Sequence, residues 1–207
     1  CDIKFFNKYL NDYEQMIKKN NFFIENLKSV VFIGQSDVLS ELVKINKSLK
    51  LNTLIITSSD QSKLIDKKIS HEIFDKIDNK FKNYINKSTK VNNTIFISLG
   101  ARYIFKKEII KNFFLNNLIN FHHSRLPLDS GGADISWRIM REDRISNQLV
   151  HVVDEGIDTG PILDTEMTLF PRQCQLPIDF HLYMLKCFKK FYKNFIKQVQ
   201  TGKNFEM

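Results

Sequence analysis

Cysteine is scarce: Cys1, Cys174 and Cys187 stand far apart and form no CxxC pair. That spacing excludes a disulfide framework and a cysteine-rich zinc site, and it points to a reducing cytoplasm. Long apolar runs are missing too. None approaches the roughly 20 residues of a membrane span, and the opening stretch CDIKFFNKYLNDYEQ carries acids where a signal peptide needs an apolar core. The expectation is a cytoplasmic chain, neither inserted in a membrane nor exported. Internal repeats and a linker that would divide two domains are also absent.

Charge of one sign is not concentrated anywhere. The formal net charge is +8, but the lysines run through a background rich in Lys, Asn and Ile, as in KLIDKK, NKFKNYINK and LKCFKKFYKNFIK. A nucleic-acid partner is therefore not expected, although clustered cations would suit one. Small anionic substrates fit the same balance. With 43% apolar and 12% aromatic residues, the chain can bury a substantial core.

Hydrophobic periodicity separates the elements. Residues 5 to 27 carry apolar side chains at helical spacing, so residues 1–28 read as an amino-terminal helical extension and 29–207 as the main domain. SVVFIG (29–34) is a strand closed by glycine, followed by the helix DVLSELVKINKSL with Asp37 as its N-cap. LNTLIIT (51–57), TIFISLG (94–100) and LINF (118–121) read as further strands. Helices are expected over HEIFDKIDNKF, over FKKEIIKNFF and, from Pro177, over a long carboxyl-terminal segment. Its apolar stripe, Phe180, Met184, Phe188 and Phe191, would dock on the parent sheet or form a homodimer interface. Strands alternating with helices imply an α/β domain with a mainly parallel central sheet flanked by helices. Ligands in such sheets gather at the carboxyl ends of the strands.

Two polar stretches fall there. NFHHSRLP follows an apolar strand, with Pro127, Gly131 and Gly132 marking a loop. HVVDEGIDTGPILDTE is a strand, then an acidic, glycine-containing turn, then a returning segment. Asn120 and His122 alternate onto one face of an extended chain. An amide donor, an imidazole and an aspartate on a neighbouring loop suit acyl transfer through a tetrahedral oxyanion. An aspartate near that imidazole would stabilise its protonated form. From spacing alone, the same Asn and His also suit loop capping and a satisfied core.

NFHHSRLP is similar to the Asn-X-His-X-Ser-Leu-Leu-Pro signature of the folate-dependent formyltransferases, and DEGIDTGPIL resembles its partner motif. The resemblance runs from about Ser29 to Leu169 and includes VVFIGQSD and SLGARYIF. It implies a Rossmann-like domain that takes 10-formyltetrahydrofolate as cosubstrate, formylates an amine and needs no metal. Carried over, Asn120 and His122 would stabilise the oxyanion, Asp158 would set the protonation of His122 and help remove the amine proton, and Ser124 would orient the histidine loop. Tyr103, Ile104 and Phe105 would line the pterin pocket, with the backbone of Asp154, Glu155 and Gly156 closing its other side. Ordinary core is the alternative for Ile104 and Phe105. Trp137 is expected to pack beneath the loop, with stacking near the substrate as the alternative.

Three features depart from the family pattern. Arg125 replaces the first leucine after the motif serine, MREDRISN (140–147) is unusually charged, and the helix before Ser29 is extra. The methionyl-tRNA branch carries a further carboxyl-terminal domain, and the glycinamide ribonucleotide branch a glycine-rich phosphate loop where Gly34 stands alone. The combination of SLGARYIF, NFHHSRLP, GGADISW and DEGIDTGPIL looks most like bacterial enzymes that formylate a nucleotide-linked aminodeoxy sugar for O-antigen or related surface glycans. Arg102, Arg125 and Arg138 are then candidate phosphate or sugar contacts.

Overall fold

The computed structural model describes residues 21–126 and 134–207. Strands β1 (Asn21–Phe22) and β2 (Ser29–Gly34) come first, then helix α1 (Leu39–Ser48), β3 (Asn52–Thr57), β4 (Glu72–Ile73) and α2 (Asn79–Ser88). They are followed by β5 (Thr94–Leu99), α3 (Lys107–Asn112), β6 (Leu118–His122), α4 (Asp134–Met140), β7 (Ile145–Val152) and β8 (Ile162–Leu169). The long helix α5 (Pro177–Gln200) and strand β9 (Phe205–Glu206) close the domain.

The main sheet has the order β4-β3-β2-β5-β6-β7-β8. Neighbours from β4 to β6 pair parallel, while β7 and β8 run antiparallel. The strands β2 and β5 are buried along their whole length, as a sheet covered on both faces requires. Chain order reverses between them, so the crevice at their carboxyl ends is where a ligand would sit. Gly34 turns the chain there with φ of 112°. A Cβ at that position would lie 2.2 Å from the Leu99 carbonyl oxygen, so no other residue fits.

One face of the sheet packs against α1 and α5, the other against α2 and α3, each through its own apolar cluster. Helix α5 begins at Pro177, and Asp179 accepts the backbone N–H groups of Gln175 and Leu176 just before it. Its stripe of Phe180, Met184, Phe188 and Phe191 is buried within its own chain. This apolar face therefore docks on the parent domain rather than waiting for a second copy. Polar contacts fasten α5 to α1 and the residues flanking it: His181 to Asp37 at 3.1 Å, Lys189 to Glu41 at 3.8 Å, Tyr192 to Asn46 at 2.6 Å, and Gln200 to the Leu49 carbonyl at 2.9 Å.

Several local expectations need correction. The helix expected over residues 5 to 27 does not reach its end: Asn21–Phe22 pairs antiparallel with β9, and residues 1–20 lie outside the described residues. Asp37 does not cap α1, whose N-cap is Val38; its carboxylate meets His181 instead. The segment around residues 71 to 81 divides into β4 and the start of α2, because Asp78 accepts the N–H groups of Lys80 and Phe81 and starts the helix there.

The hydroxyl of Tyr192 is fully buried, and burial pushes its pKa well above the usual phenol range. It stays neutral and donates to Asn46, whose Nδ2 has no partner among the described residues. Replacing Tyr192 with Phe leaves a second unsatisfied atom on Asn46. The expected loss is about 1–3 kcal/mol of unfolding free energy, read by chemical denaturation.

Candidate active site

Strand β6 divides its side chains between the two faces of the sheet. Phe121 enters the α5 layer, where it packs on Phe188, Phe191, Tyr192 and Phe195 with ring centroids 5.4 to 6.0 Å apart. Period-two alternation then sends Asn120 and His122 to the opposite face. Pairing with β7 sets Asn120 beside His151, and a β-bulge between Val150 and His151 re-aims the second residue.

The acidic turn after β7 delivers Asp158. Asp154 holds the turn by accepting from the Gly156 N–H at 3.0 Å and the Thr159 hydroxyl at 2.7 Å. Asp158 itself has φ of 54°, a left-handed conformation that Asp tolerates better than most residues. Gly160 completes the turn: a Cβ there would lie 1.8 Å from the Val152 carbonyl oxygen.

Four side chains converge. The Asp158 carboxylate lies 3.6 Å from His122 Nε2 through one oxygen and 3.6 Å from His151 Nε2 through the other. Asn120 Nδ2 is 3.3 Å from His151 Nε2 and 3.4 Å from Asp158 Oδ1. These separations exceed the usual 2.9–3.0 Å of a hydrogen bond. Such loose geometry is common in a site that tightens around its substrate.

His151 is the residue that sequence reasoning missed. Its Nδ1 lies 2.9 Å from the Val152 carbonyl, which can only accept, so Nδ1 carries the proton and Nε2 is left to accept from Asn120. Burial lowers the His151 pKa below 6.5, against the opposing pull of the Val152 carbonyl and Asp158. A neutral imidazole thus fixes which end of the Asn120 amide carries the hydrogens.

Asn120, His151 and Asp158 close one end of a cavity of about 390 Å³. Arg102, Tyr103, Ile104 and Phe105 line one side, with Asp154, Gly156 and Ile157 on another. Ile104 and Ile157 are 89% and 88% exposed, apolar side chains at the cavity wall rather than in the core. Phe105 is buried and belongs to the core as well. The Tyr103 hydroxyl donates to the Phe74 carbonyl, and burial raises its pKa to about 12. Glu155 does not line the cavity; it forms an exposed pair with Lys107 at 3.2 Å. His122 stands outside the cavity lining, on the other oxygen of Asp158.

Other expected contacts fall elsewhere. Arg138 is fully buried, and Nη1 donates to the Ile145 carbonyl, so it is a brace rather than a phosphate contact. Arg125 pairs with Asp143. Arg102 remains at the cavity rim, exposed and 2.6 Å from Asp60. Ser124 is buried with its hydroxyl unpartnered among the described residues, so no hydrogen bond from it orients the histidine loop. Trp137 is 57% exposed on α4, and the loop at 127–133 that it is expected to underlie is outside the described residues. Pro127, Gly131 and Gly132 lie outside the described residues. Among the described residues no His, Cys, Asp and Glu group is arranged to hold a metal, and no helix is long and apolar enough to cross a membrane.

The family model described as formyl transferase matches residues 27–171. The chain is 27% identical over 154 residues to the methionyl-tRNA formyltransferase of Campylobacter lari, covering 67% of this chain and 50% of that protein. It is 36% identical over 81 residues to the enzyme of the same name from Thermodesulfovibrio yellowstonii, covering 39% and 26%. The chain thus spans about half or less of the length of these relatives. The fold is similar to the phosphoribosylglycinamide formyltransferase of Brucella melitensis, with TM-score 0.66, 18% identity, and 86% and 98% of the two chains covered. A formyltetrahydrofolate deformylase from Pseudomonas syringae pv. tomato gives TM-score 0.64 at 16% identity, covering 87% and 66%.

The lowered pKa of His151 predicts a pH dependence of stability. As pH falls, the unfolded chain takes up this proton first, near 6.5, while the folded protein resists it. The stabilisation is therefore complete above 6.5 and is lost as pH drops below that value toward the depressed folded pKa. Thermal melts across this range should show a falling Tm, with a shallower slope in His151→Gln; equal slopes would contradict the assignment.

Proposed function

From the premise that the chain belongs to the formyl transferase family, we propose that it moves a formyl group from 10-formyltetrahydrofolate to the amino group of a nucleotide-linked aminodeoxy sugar in the cytoplasm, for O-antigen or related surface glycans. The observation that carries the chemistry is the meeting of Asn120 and Asp158 where the 390 Å³ cavity ends, with His122 3.6 Å from the far oxygen of Asp158. The cavity's volume and apolar rim suit a flat heteroaromatic ring. The acceptor class rests on the motif resemblance and on the turn at Gly34, which offers one glycine where a phosphate loop has several.

When bound, the folate supplies an activated formyl group on nitrogen. The amine nitrogen attacks the formyl carbon, the new C–N bond forms, and collapse breaks the bond to the folate nitrogen. Asn120 Nδ2 carries two hydrogens, one held by His151 and one aimed at Asp158. The second is the one that the developing oxyanion takes over, with a His122 ring N–H as the other donor. Asp158, which lines the cavity and lies 3.6 Å from His122, accepts the proton that the amine gives up and returns it to the departing folate nitrogen as that bond breaks. Tyr103, Ile104, Phe105, Asp154 and Gly156 hold the donor, and Arg102 is the remaining candidate for an anionic contact.

The test is a mass-spectrometric assay with 10-formyltetrahydrofolate and a panel of acceptors: dTDP-, UDP- and GDP-linked amino sugars, glycinamide ribonucleotide, methionyl-tRNA and buffer alone. One formyl group gained by a single nucleotide sugar is the expected result. Formate released without an acceptor would make the protein a hydrolase, and formylation of either other acceptor would reassign the substrate. Asn120→Ala, His122→Ala and Asp158→Ala should each lower kcat by about 10²–10³ with Tm little changed. A His122→Ala protein of normal turnover would sink the mechanism.

A further inference from the structure

The backbone ladder between β6 and β7 ends at His122, paired with Leu149. Beyond that point side chains of β7 and its leading turn take over. Ser146 Oγ donates to the His123 carbonyl at 3.1 Å, and Gln148 Oε1 accepts from His123 Nδ1 at 2.7 Å. Arg125 then meets Asp143 through Nη2. Ser146 and Gln148 are buried at 0% and 1% exposure, and the His123 ring sits edge-on to Phe188 at 5.0 Å.

Asp143 is not a loose surface acid. Its backbone N–H donates to the Arg138 carbonyl at 2.9 Å, and its Oδ1 accepts from the Ile145 N–H at 3.0 Å. Arg138 holds the carbonyl of the same Ile145 from inside the domain. The buried arginine thus braces a turn, the turn aims a carboxylate, and the carboxylate meets the guanidinium three residues after His122. Two departures from the family pattern, Arg125 and the charged stretch at 140–147, are the two halves of one contact.

We propose that the Arg125–Asp143 pair, with the His123–Gln148 bond behind it, is a positioning device that fixes the segment presenting His122. This rests on the reading of His122 as a catalytic residue. A charge-assisted pair with a planar guanidinium has directional geometry that a leucine lacks. Its side chains are about a quarter exposed or less, at 27% and 21%, so water screens it less than an exposed pair. Displacements of about 1 Å at a reacting group cost on the order of 100-fold in rate, which is how a contact away from the chemistry controls turnover.

The experiment compares Arg125→Leu, Asp143→Asn, their double variant and the milder Arg125→Lys in the full chain. The readouts are kcat, both KM values, thermal melts and the His122 ring NMR signals. Each single loss should cost roughly 10-fold or more in kcat, with both KM values held within about twofold. The double variant should be no worse than the worse single one, since both break the same contact. Arg125→Lys should fall between, and the His122 ring signals should shift while those of His181 stay in place. Multiplicative losses, a loss confined to the acceptor KM, or a lowered Tm with unchanged turnover per folded molecule would each overturn the proposal. If no acceptor is formylated by the wild type, the functional reading fails, and unshifted or shifted His122 signals still decide whether the pair positions that ring.

Discussion

Phe121 touches four aromatic rings of α5, and every polar group on its strand takes its direction from that contact. Once Phe121 is committed to the α5 layer, extended backbone leaves Asn120 and His122 no choice of face. A one-residue slip would bury both polar side chains among phenylalanines and lift Phe121 into the crevice. The register of β6 is thus held by apolar packing, and the chemistry inherits it.

The site carries its electrostatics in a small space. One carboxylate serves two imidazoles, and burial makes them different in kind: His151, nearly enclosed, remains neutral and orients the Asn120 amide. His122, on the other carboxylate oxygen, is the more open of the two, 25% exposed against 3%. Without the enclosure that keeps His151 neutral, the Asn120 amide would have no fixed acceptor and would be free to flip. The left-handed backbone of Asp158 is the local cost of reaching both rings from one turn.

Much of this was legible in the sequence. β-branched runs bounded by Gly, Asn and Thr marked β2, β3 and β5, and the alternating N-F-H placed Asn120 and His122 correctly on one face. The motif likeness pointed to 103 to 105, 154 and 156, and these residues line one cavity with Asn120 and Asp158. What escaped has a common cause. His151 reaches the site only through antiparallel pairing and a bulge, neither of which leaves a periodic trace in HVV. Arg138 and Arg125 read as candidate phosphate or sugar contacts because their partners, the Ile145 carbonyl and Asp143, are joined to them only in the folded structure. The stretch around 71 to 81 has helical spacing, but Asp78 starts the helix late, and the preceding residues pair with β3 instead.

The small sheet of β1 and β9 has a topological consequence. Asn21 and Glu206 are direct partners across an antiparallel ladder, so two distant points of the chain meet at one corner of the domain. The continuity of the chain from Asn21 to Glu206 is then a matter of synthesis order rather than of architecture. A short bridge could join those two residues, and the backbone could be opened in an exposed turn away from the site, leaving the same sheet, the same cavity and the same convergence of side chains under a different reading order.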